Sequence, residues 1–485
     1  MSEADRPIAA EGGRRASAAP SPSHPRVLPA LALLAAAATA AATFVGLAER
    51  PLEGAFALVG IVGAALVGFL LVRPSTGLLL YFLAAPFFYS YQLLTDGIAI
   101  RPLQAAKDLL WVALVAGWAL RKFAGREMGT TRFDRDQPHQ LAAALFLAYA
   151  AVQMLRVVAD PFSPRAWAIG LLGFREYVEF LLALLIVPDL VPDARAARRL
   201  LHAFLLTAGA CLAYGLGQTF LGWPIIRTEI ERGLPMPPTS FLGGKYQYGY
   251  MLQASAVLLV ALAVEKGRRV RARVGLFALA AVTLVGLGFS ASRVSIVSFA
   301  ITLLLFGALE RRYAAILLGL LAPVALVAAV PAAREAFMAF LEYGGLADEG
   351  RLWVWDATLQ AVAANPLFGG GYGLFGGLWF LGIGVRSTTA HSGILAILGT
   401  LGICGLAIFF VLLLFLFREG RRQAAAAAEE NRGLVHALLA LTLGQVPVAL
   451  LHDVWIASFP ATFHFWAFAG LLVSPAFREA GRPQT

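Results

Sequence analysis

Residues 391–417 read HSGILAILGTLGICGLAIFFVLLLFLF, a run without one Asp, Glu, Lys or Arg, closed by Arg418. An α-helix rises about 1.5 Å per residue, so roughly 20 apolar residues cover the hydrocarbon core of a bilayer. In hydrocarbon only helices and closed barrels satisfy every backbone polar group. Barrel strands would read as short alternating segments. This run is continuous, so it predicts a helix that crosses a membrane.

Working outward from it, stretches of the same kind recur, many rich in Ala and Leu. The predicted spans lie at 27–47, 54–72, 77–95, 103–120, 141–158, 166–190, 198–222, 246–264, 274–290, 294–309, 314–330, 391–417, 434–451 and 456–474. The close pair around Phe289–Val294 reads either as two spans or as one broken element. The composition agrees: 59% of residues are hydrophobic, 14% are charged, and mean hydropathy is +0.74. A soluble chain carries about 25% charge, and a deficit of this size means that most of the surface meets lipid. The expected fold is an all-α polytopic membrane protein of about 14 transmembrane helices.

The net charge of +10 is spread over short loops and does not gather on one soluble face, so a nucleic-acid partner is not expected. Membrane topology explains it better. With the N-terminus in the cytoplasm and the loops alternating, 26 of the 39 Lys and Arg fall in the inside segments, as the positive-inside rule requires. Those segments include 121–140, 193–199, 265–273, 310–312, 418–432 and the C-terminal tail. Residues 1–26 lack the composition of a packed core and read as a disordered cytoplasmic tail. They could pass for a signal peptide, but the long polar lead and the many later spans favour an uncleaved first helix. Residues 27–474 form a single transmembrane domain, and 475–485 a second cytoplasmic tail. Two outside segments are long, 223–245 and 331–390, and the second is expected to carry short amphipathic helices as a lid on the membrane surface. Loops of that length in a compact protein are usually functional or disordered.

Cys211 and Cys404 sit inside apolar runs and read as packing residues. No His/Cys group has metal-ligand spacing, so neither a metal nor a cofactor is expected. The run Gly369–Gly373 is not a phosphate-cradling loop, since no Gly-Lys-Ser/Thr follows it; a tight turn returning the loop to the membrane is the better reading. His464 and His436 read as a packed and an incidental histidine.

The residues that could carry chemistry cluster late. They are Gly350-Arg351-Leu352-Trp353-Val354-Trp355-Asp356, then Asn365-Pro366-Leu367-Phe368-Gly369-Gly370-Gly371-Tyr372-Gly373, then Ala390-His391-Ser392-Gly393-Ile394-Leu395, with Gly399, Gly402 and Gly405 beyond. This pattern resembles the signature of the O-antigen ligase and Wzy-type polysaccharide polymerase superfamily: an Arg ahead of a Trp-bearing amphipathic helix, a Pro-Leu-Phe-Gly turn, and a His that opens a glycine-dotted helix. The likeness is close over roughly 235–420 and general in the first 180 residues. Ser392 stands where the family often has Asn.

The resemblance implies transfer of a glycan from undecaprenyl pyrophosphate to an acceptor hydroxyl on the periplasmic side of a bacterial inner membrane. The acceptor would be lipid A core, a growing glycan or, in some relatives, a protein, with no metal or nucleotide required. Physical chemistry agrees with such a site. A pyrophosphate leaving group needs its developing charge stabilised, and guanidinium matches phosphate geometry while staying protonated. A hydroxyl nucleophile gains from a base, and histidine suits neutral pH.

Arg293, in Ser292-Arg293, resembles the family's Ser-Arg element, and with Arg351 it is expected to hold the pyrophosphate. The plain alternatives are a snorkelling Arg293 and an Arg351 paired with Asp348 or Glu349. His391 is expected as base or acceptor-positioning group, or else as a helix-end residue bonded to a loop carbonyl. Asp453 resembles a late acidic position of the ligases, and could equally be an ordinary interfacial acid. Arg175, with Glu176 and Glu179 on one face of the sixth span, and Lys245, in Gly243-Gly244-Lys245-Tyr246, are candidate contacts to lipid phosphate. An i, i+4 pair that neutralises itself is the alternative for Arg175. A rival function from another class is a secondary transporter of an anion or other solute, which would place polar residues at mid-membrane between repeats. A flippase for the same carrier should expose cations along the whole crossing, which this chain lacks.

Overall fold

The computed structural model describes residues 65–87, 101–123, 137–158, 170–224, 238–342, 349–374, 390–452, 455–456 and 460–478, without 172, 176, 178, 243 and 373; for 101–108, 158, 339–342 and 349–350 it describes the backbone alone. The chain divides into two units, Met1–Leu66 and Val67–Thr485. Of the first only residues 65 and 66 are described, so the tail expected at 1–26, the span at 27–47 and most of 54–72 lie outside the described residues. So do 225–237 and 375–389 of the two long loops, and 479–485.

The second unit is helical. Its helices are α1 (Pro74–Ala84), α2 (Arg101–Phe123), α3 (Pro138–Val158), α4 (Leu182–Leu190), α5 (Ala194–Phe220), α6 (Lys245–Ala263), α7 (Val270–Phe289), α8 (Arg293–Glu310), α9 (Tyr313–Ala329), α10 (Pro331–Glu342), α11 (Glu349–Ala364), α12 (Gly393–Ala426), α13 (Glu429–Val448) and α14 (Ala461–Val473). Among the described residues five of these, α3, α5, α7, α8 and α12, are long and apolar enough to cross a membrane. A sixth crossing is present if α9 and the start of α10 count as one, although they bend by 96°.

The helices sort by what surrounds them. In α14 every residue from Ala461 to Val473 is buried, and α6 is buried without a break from Tyr248 to Ala263. A helix apolar all round belongs in the middle of a bundle. Around that centre, α6 packs on α7 and α8, α13 on α8, α12 and α14, and α3 on α12. Outer helices leave large side chains uncovered, such as Val270, Val274 and Phe277 on α7 and Leu320, Leu321 and Val324 on α9. In water such a patch would be a liability. In lipid it is the expected exterior.

The close pair read around Phe289–Val294 is two helices. Ser290, Ala291 and Ser292 separate them, Ala291 adopts a φ of 51°, and the Ser292 side chain caps α8 by accepting from the Ser295 amide. The span expected at 166–190 is not uniform: between Phe180 and Leu184 the backbone bonding tightens to i→i−3 before α4 begins.

Basic loops gather at one end of the bundle. Arg198 and Arg268 share Glu265 at 3.1 and 2.7 Å, Lys266 pairs with Glu429, His436 meets Glu310 at 2.5 Å, and Arg478 reaches Glu419 at 3.4 Å. Each of these contacts involves a segment expected on the inside. At the other end stand the N-termini of α6, α8 and α14 with the C-terminus of α13, which together line one small cavity.

The long run that opened the reading is broken. At Gly402 the backbone leaves the helical region, with φ 69° and ψ −171°, a conformation essentially confined to glycine. The break strands backbone groups at membrane depth, and the turn at 366–371 satisfies them. Ile403 and Cys404 donate to the carbonyls of Pro366 and Leu367 at 2.9 and 3.3 Å, while Gly370 and Gly371 donate to Gly399 and Thr400 at 2.7 and 3.1 Å. From α3, the Tyr149 hydroxyl donates to Leu401 O at 2.8 Å, and Arg156 donates to Gly369 O at 3.3 Å. The turn expected to return the loop to the membrane therefore docks into α12.

A methyl group at Gly402 would sit 2.3 Å from the Leu367 carbonyl oxygen. Gly402→Ala should cost about 3 kcal/mol or more, through clash and backbone strain together. Gly433→Ala on α13, where the nearest neighbour lies at 3.7 Å, should be neutral or stabilise by up to about 1 kcal/mol. Thermal unfolding of the two purified variants in detergent checks both, and equal melting temperatures would contradict the docking.

Candidate functional site

Arg351 and Trp355 are four residues apart on α11 and therefore share a face. The Trp355 indole donates from Nε1 to the Ala390 carbonyl at 2.8 Å, which ties that face to the residue before His391. His391 itself takes a φ of 50°, a left-handed conformation that turns the chain sharply into α12. Ser392 caps the helix by accepting from the Leu395 amide. The first amides of α12, which have no partner within their own helix, find carbonyls near the end of α13: Gly393 N donates to His452 O at 3.2 Å and Ile394 N to Ala449 O at 3.3 Å.

His452 is where these elements meet. Its ring is buried and packs on Tyr246 with 4.6 Å between centroids. Its pKa is held down at about 3, first by burial and then by the positive fields of His391 and Arg351. Two of the predicted site residues thus bear on one imidazole, and the imidazole stays neutral at physiological pH. Lys245 opens α6 with its ammonium 5.4 Å from the Tyr246 ring centroid, so it stands at the same end.

Arg293 is the first residue of α8 and is exposed. The helix ends beside it are close: a methyl at Gly249 of α6 would lie 2.7 Å from both Ser292 Cβ and Ser295 Oγ. Ser295 lines the same cavity as Tyr246 and His452. Arg293 therefore shares this end of the bundle, one turn from that cavity.

Arg175 adopts the i, i+4 pairing weighed from sequence, with Nε 3.6 Å from Glu179 Oε2. Its neighbour Tyr177 donates to Ala396 O at 3.0 Å and accepts from Thr400 Oγ1 at 2.8 Å. This holds Arg175 next to the first turns of α12. Asp453 and Glu176 lie outside the described residues.

Sequence reasoning missed His452 as a member of the group. A signal was present, since His452-Asp453 is a polar pair in a short turn between two apolar helices. It also missed Tyr149 and Arg156, seven residues apart on one face of α3, which clamp the glycine-rich turn. Finally, it missed a buried neutral cluster: Gln445 Nε2 donates to Ser298 Oγ at 2.6 Å and to Gln253 Oε1 at 3.3 Å, and Gln253 Nε2 donates to Thr302 Oγ1 at 3.2 Å. Nothing in the spacing marks this cluster, because its members come from three helices.

The comparisons with known proteins bear on the same segment. Residues 278–410 match the family model described as O-antigen ligase. That stretch contains Arg293, Arg351, His391 and Gly402, and leaves Arg175, Lys245, His452 and Asp453 outside it. No curated protein matches the chain.

The buried imidazole has a measurable consequence. Between pH 6.5 and about 3 the unfolded chain binds a proton at His452 that the folded chain refuses. The difference in bound protons makes stability fall as pH falls through that window. Between pH 7.5 and 4.5 the loss attributable to this group is about 3 kcal/mol. His452→Gln should therefore lose less stability than the parent protein over that range. Parallel melting curves for the two would show that His452 is not buried neutral.

Proposed function

We propose that this chain, whose residues 278–410 match the O-antigen ligase family model, transfers a glycan from undecaprenyl pyrophosphate to an acceptor hydroxyl in surface polysaccharide synthesis. The observation that carries the reading is the tie of α11, which bears Arg351, to the turn at His391 through Trp355 and Ala390, and of that turn to the His452 carbonyl through Gly393, at the end of the bundle away from the basic loops. Positive loops mark the cytoplasmic side, so in this reading the site faces the periplasm of a bacterial inner membrane, with both termini cytoplasmic.

In the proposed reaction Arg293 and Arg351 bind the donor pyrophosphate. Lys245 and Arg175 hold the lipid phosphates further out, and Asp453 orients His391 or the acceptor. The acceptor hydroxyl attacks the anomeric carbon as His391 takes its proton. The bond from that carbon to the phosphate oxygen breaks, and undecaprenyl pyrophosphate leaves with the electron pair. The two guanidinium groups stabilise that charge as it develops. The half-helix that begins at Gly393 adds the positive end of its dipole on the same side. An in-line attack of this kind inverts the anomeric centre. The acceptor is lipid A core in a ligase, or the growing glycan in a polymerase.

The transporter alternative would draw on the neutral cluster around Gln253 and Gln445. That cluster bonds within itself and carries no charge, while the cationic residues collect at the rim. The geometry favours transfer.

His391→Ala and Arg351→Ala should reach the membrane at normal levels and lose surface polysaccharide, with transfer in vitro down by about 100-fold or more. Deletion of the gene separates the two acceptors on a gel of cell-surface glycan. Loss of all attached polymer indicates a ligase, and collapse of the ladder to one repeat unit indicates a polymerase. Polysaccharide of normal length and amount in the His391→Ala strain rejects the assignment.

A further inference from the structure

Beside the cationic groups lies a neutral socket. Tyr246, Gln247, Ser295, Ser298, Gln445 and His452, together with the apolar walls of Val294, Val448 and Ala461, line a small cavity with room for a single water or hydroxyl. Two of its polar atoms are buried and, among the described residues, lack a hydrogen-bond partner: His452 Nδ1 and Gln445 Oε1. Turning Gln445 over alone would bring its Oε1 against the Gln253 Oε1 that its amide nitrogen now meets at 3.3 Å, so in this arrangement Oε1 is the atom left over. His452 cannot relieve itself by taking a proton, since burial and the fields of His391 and Arg351 oppose the charged form.

A buried polar atom left unpaired is costly, so the chemistry of the two orphans says what the cavity their residues line can hold. A phosphate oxygen would be repelled by the amide oxygen of Gln445. An ammonium would meet His391 and Arg351. A neutral O–H satisfies both, since it donates to Gln445 Oε1 and accepts from His452 when the imidazole proton is on Nδ1.

We propose that this socket receives one hydroxyl of the acceptor glycan, and so fixes which acceptor hydroxyl is presented to the reacting centre. The inference rests on the glycan-transfer reading and adds an acceptor subsite to it, formed by His452 and Gln445 with Gln247 at its side. Donor phosphate then sits on the guanidinium side of His452 and acceptor sugar on its neutral side.

The test uses full-length protein in detergent. Donor lipid and unmodified acceptor are both extracted from cells in which the gene is deleted. His452→Phe keeps a ring on Tyr246 and removes both nitrogens. It should raise the acceptor KM about tenfold, the scale of one lost hydrogen bond, and leave the donor KM within about twofold. His452→Gln restores a neutral hydrogen-bonding group and should recover most of the loss. Gln247→Leu, at a half-buried position that does not depend on the core repacking, should raise the acceptor KM in the same way if His452→Phe fails to fold. An unchanged acceptor KM in these variants, or donor and acceptor KM rising together, overturns the subsite. A lower melting temperature with an unchanged acceptor KM means the socket holds a structural water only, and overturns it too. If the parent protein transfers no glycan, both the transfer reading and the subsite fall.

Discussion

Hydrocarbon does not hydrogen-bond, so a helix broken inside a bilayer must find backbone partners elsewhere. The break at Gly402 is the constraint on which the rest of the site depends. It exposes amides and carbonyls on both sides of the kink, and the turn at 366–371 answers them with its own backbone. Because the turn follows α11 directly, this docking sets where α11 lies. Because the half-helix from Gly393 to Leu401 is held between the break and the end of α13, its orientation is set as well. Arg351 and His391 are carried by two elements that the same backbone contact locks together. Side-chain chemistry at the rim is thus positioned by main-chain bonding several turns deeper.

Charge is distributed by the same logic. Lys, Arg and acidic residues pair with one another at the end that holds the loops 193–199, 265–273 and 418–432. In the interior of the bundle Gln253, Ser298, Thr302 and Gln445 bond to one another. At the opposite end His452 is held neutral, first because its ring is buried and then because His391 and Arg351 oppose a positive charge there. A ring buried there in neutral form gives up its charge and keeps its hydrogen-bonding capacity.

Much of the architecture was legible in the residues. Uninterrupted apolar runs announce helices in lipid, and α3, α5, α7, α8 and α12 lie where such runs were read. The cluster from Arg351 to Gly405 was visible because glycines, tryptophans and a histidine are unusual neighbours in an apolar chain. What stayed hidden was pairing at long range. The glycines at 369–371 and at 399–405 read as two separate features, a turn and a dotted helix. They are two halves of one joint, with the carbonyl of Gly399 bonded to the amide of Gly370. No periodicity in either segment could say so. His452 was hidden for a similar reason, since its importance comes from α6, α11 and α12 and not from its own flanks.

These observations connect backbone, electrostatics and function in one sequence of causes. The positive φ values at Ala291 and His391 place two sharp turns immediately before the N-termini of α8 and α12. Each turn is followed by a serine cap that spares the first helical amides. An arginine follows one turn and a histidine occupies the other, so of the two side chains only that of His391 leaves the backbone at a strained point, while Arg293 opens the helix behind its turn. Strain of this kind persists only where the surrounding structure over-determines it. Here the surroundings are the α6–α8 contact at Gly249 and the α12–α13 contact at Gly393. A flexible rim could gather the same residues only part of the time. A rim built on packed helix ends keeps these groups in place, and for the proposed transfer that is the condition for stabilising charge without reorganisation.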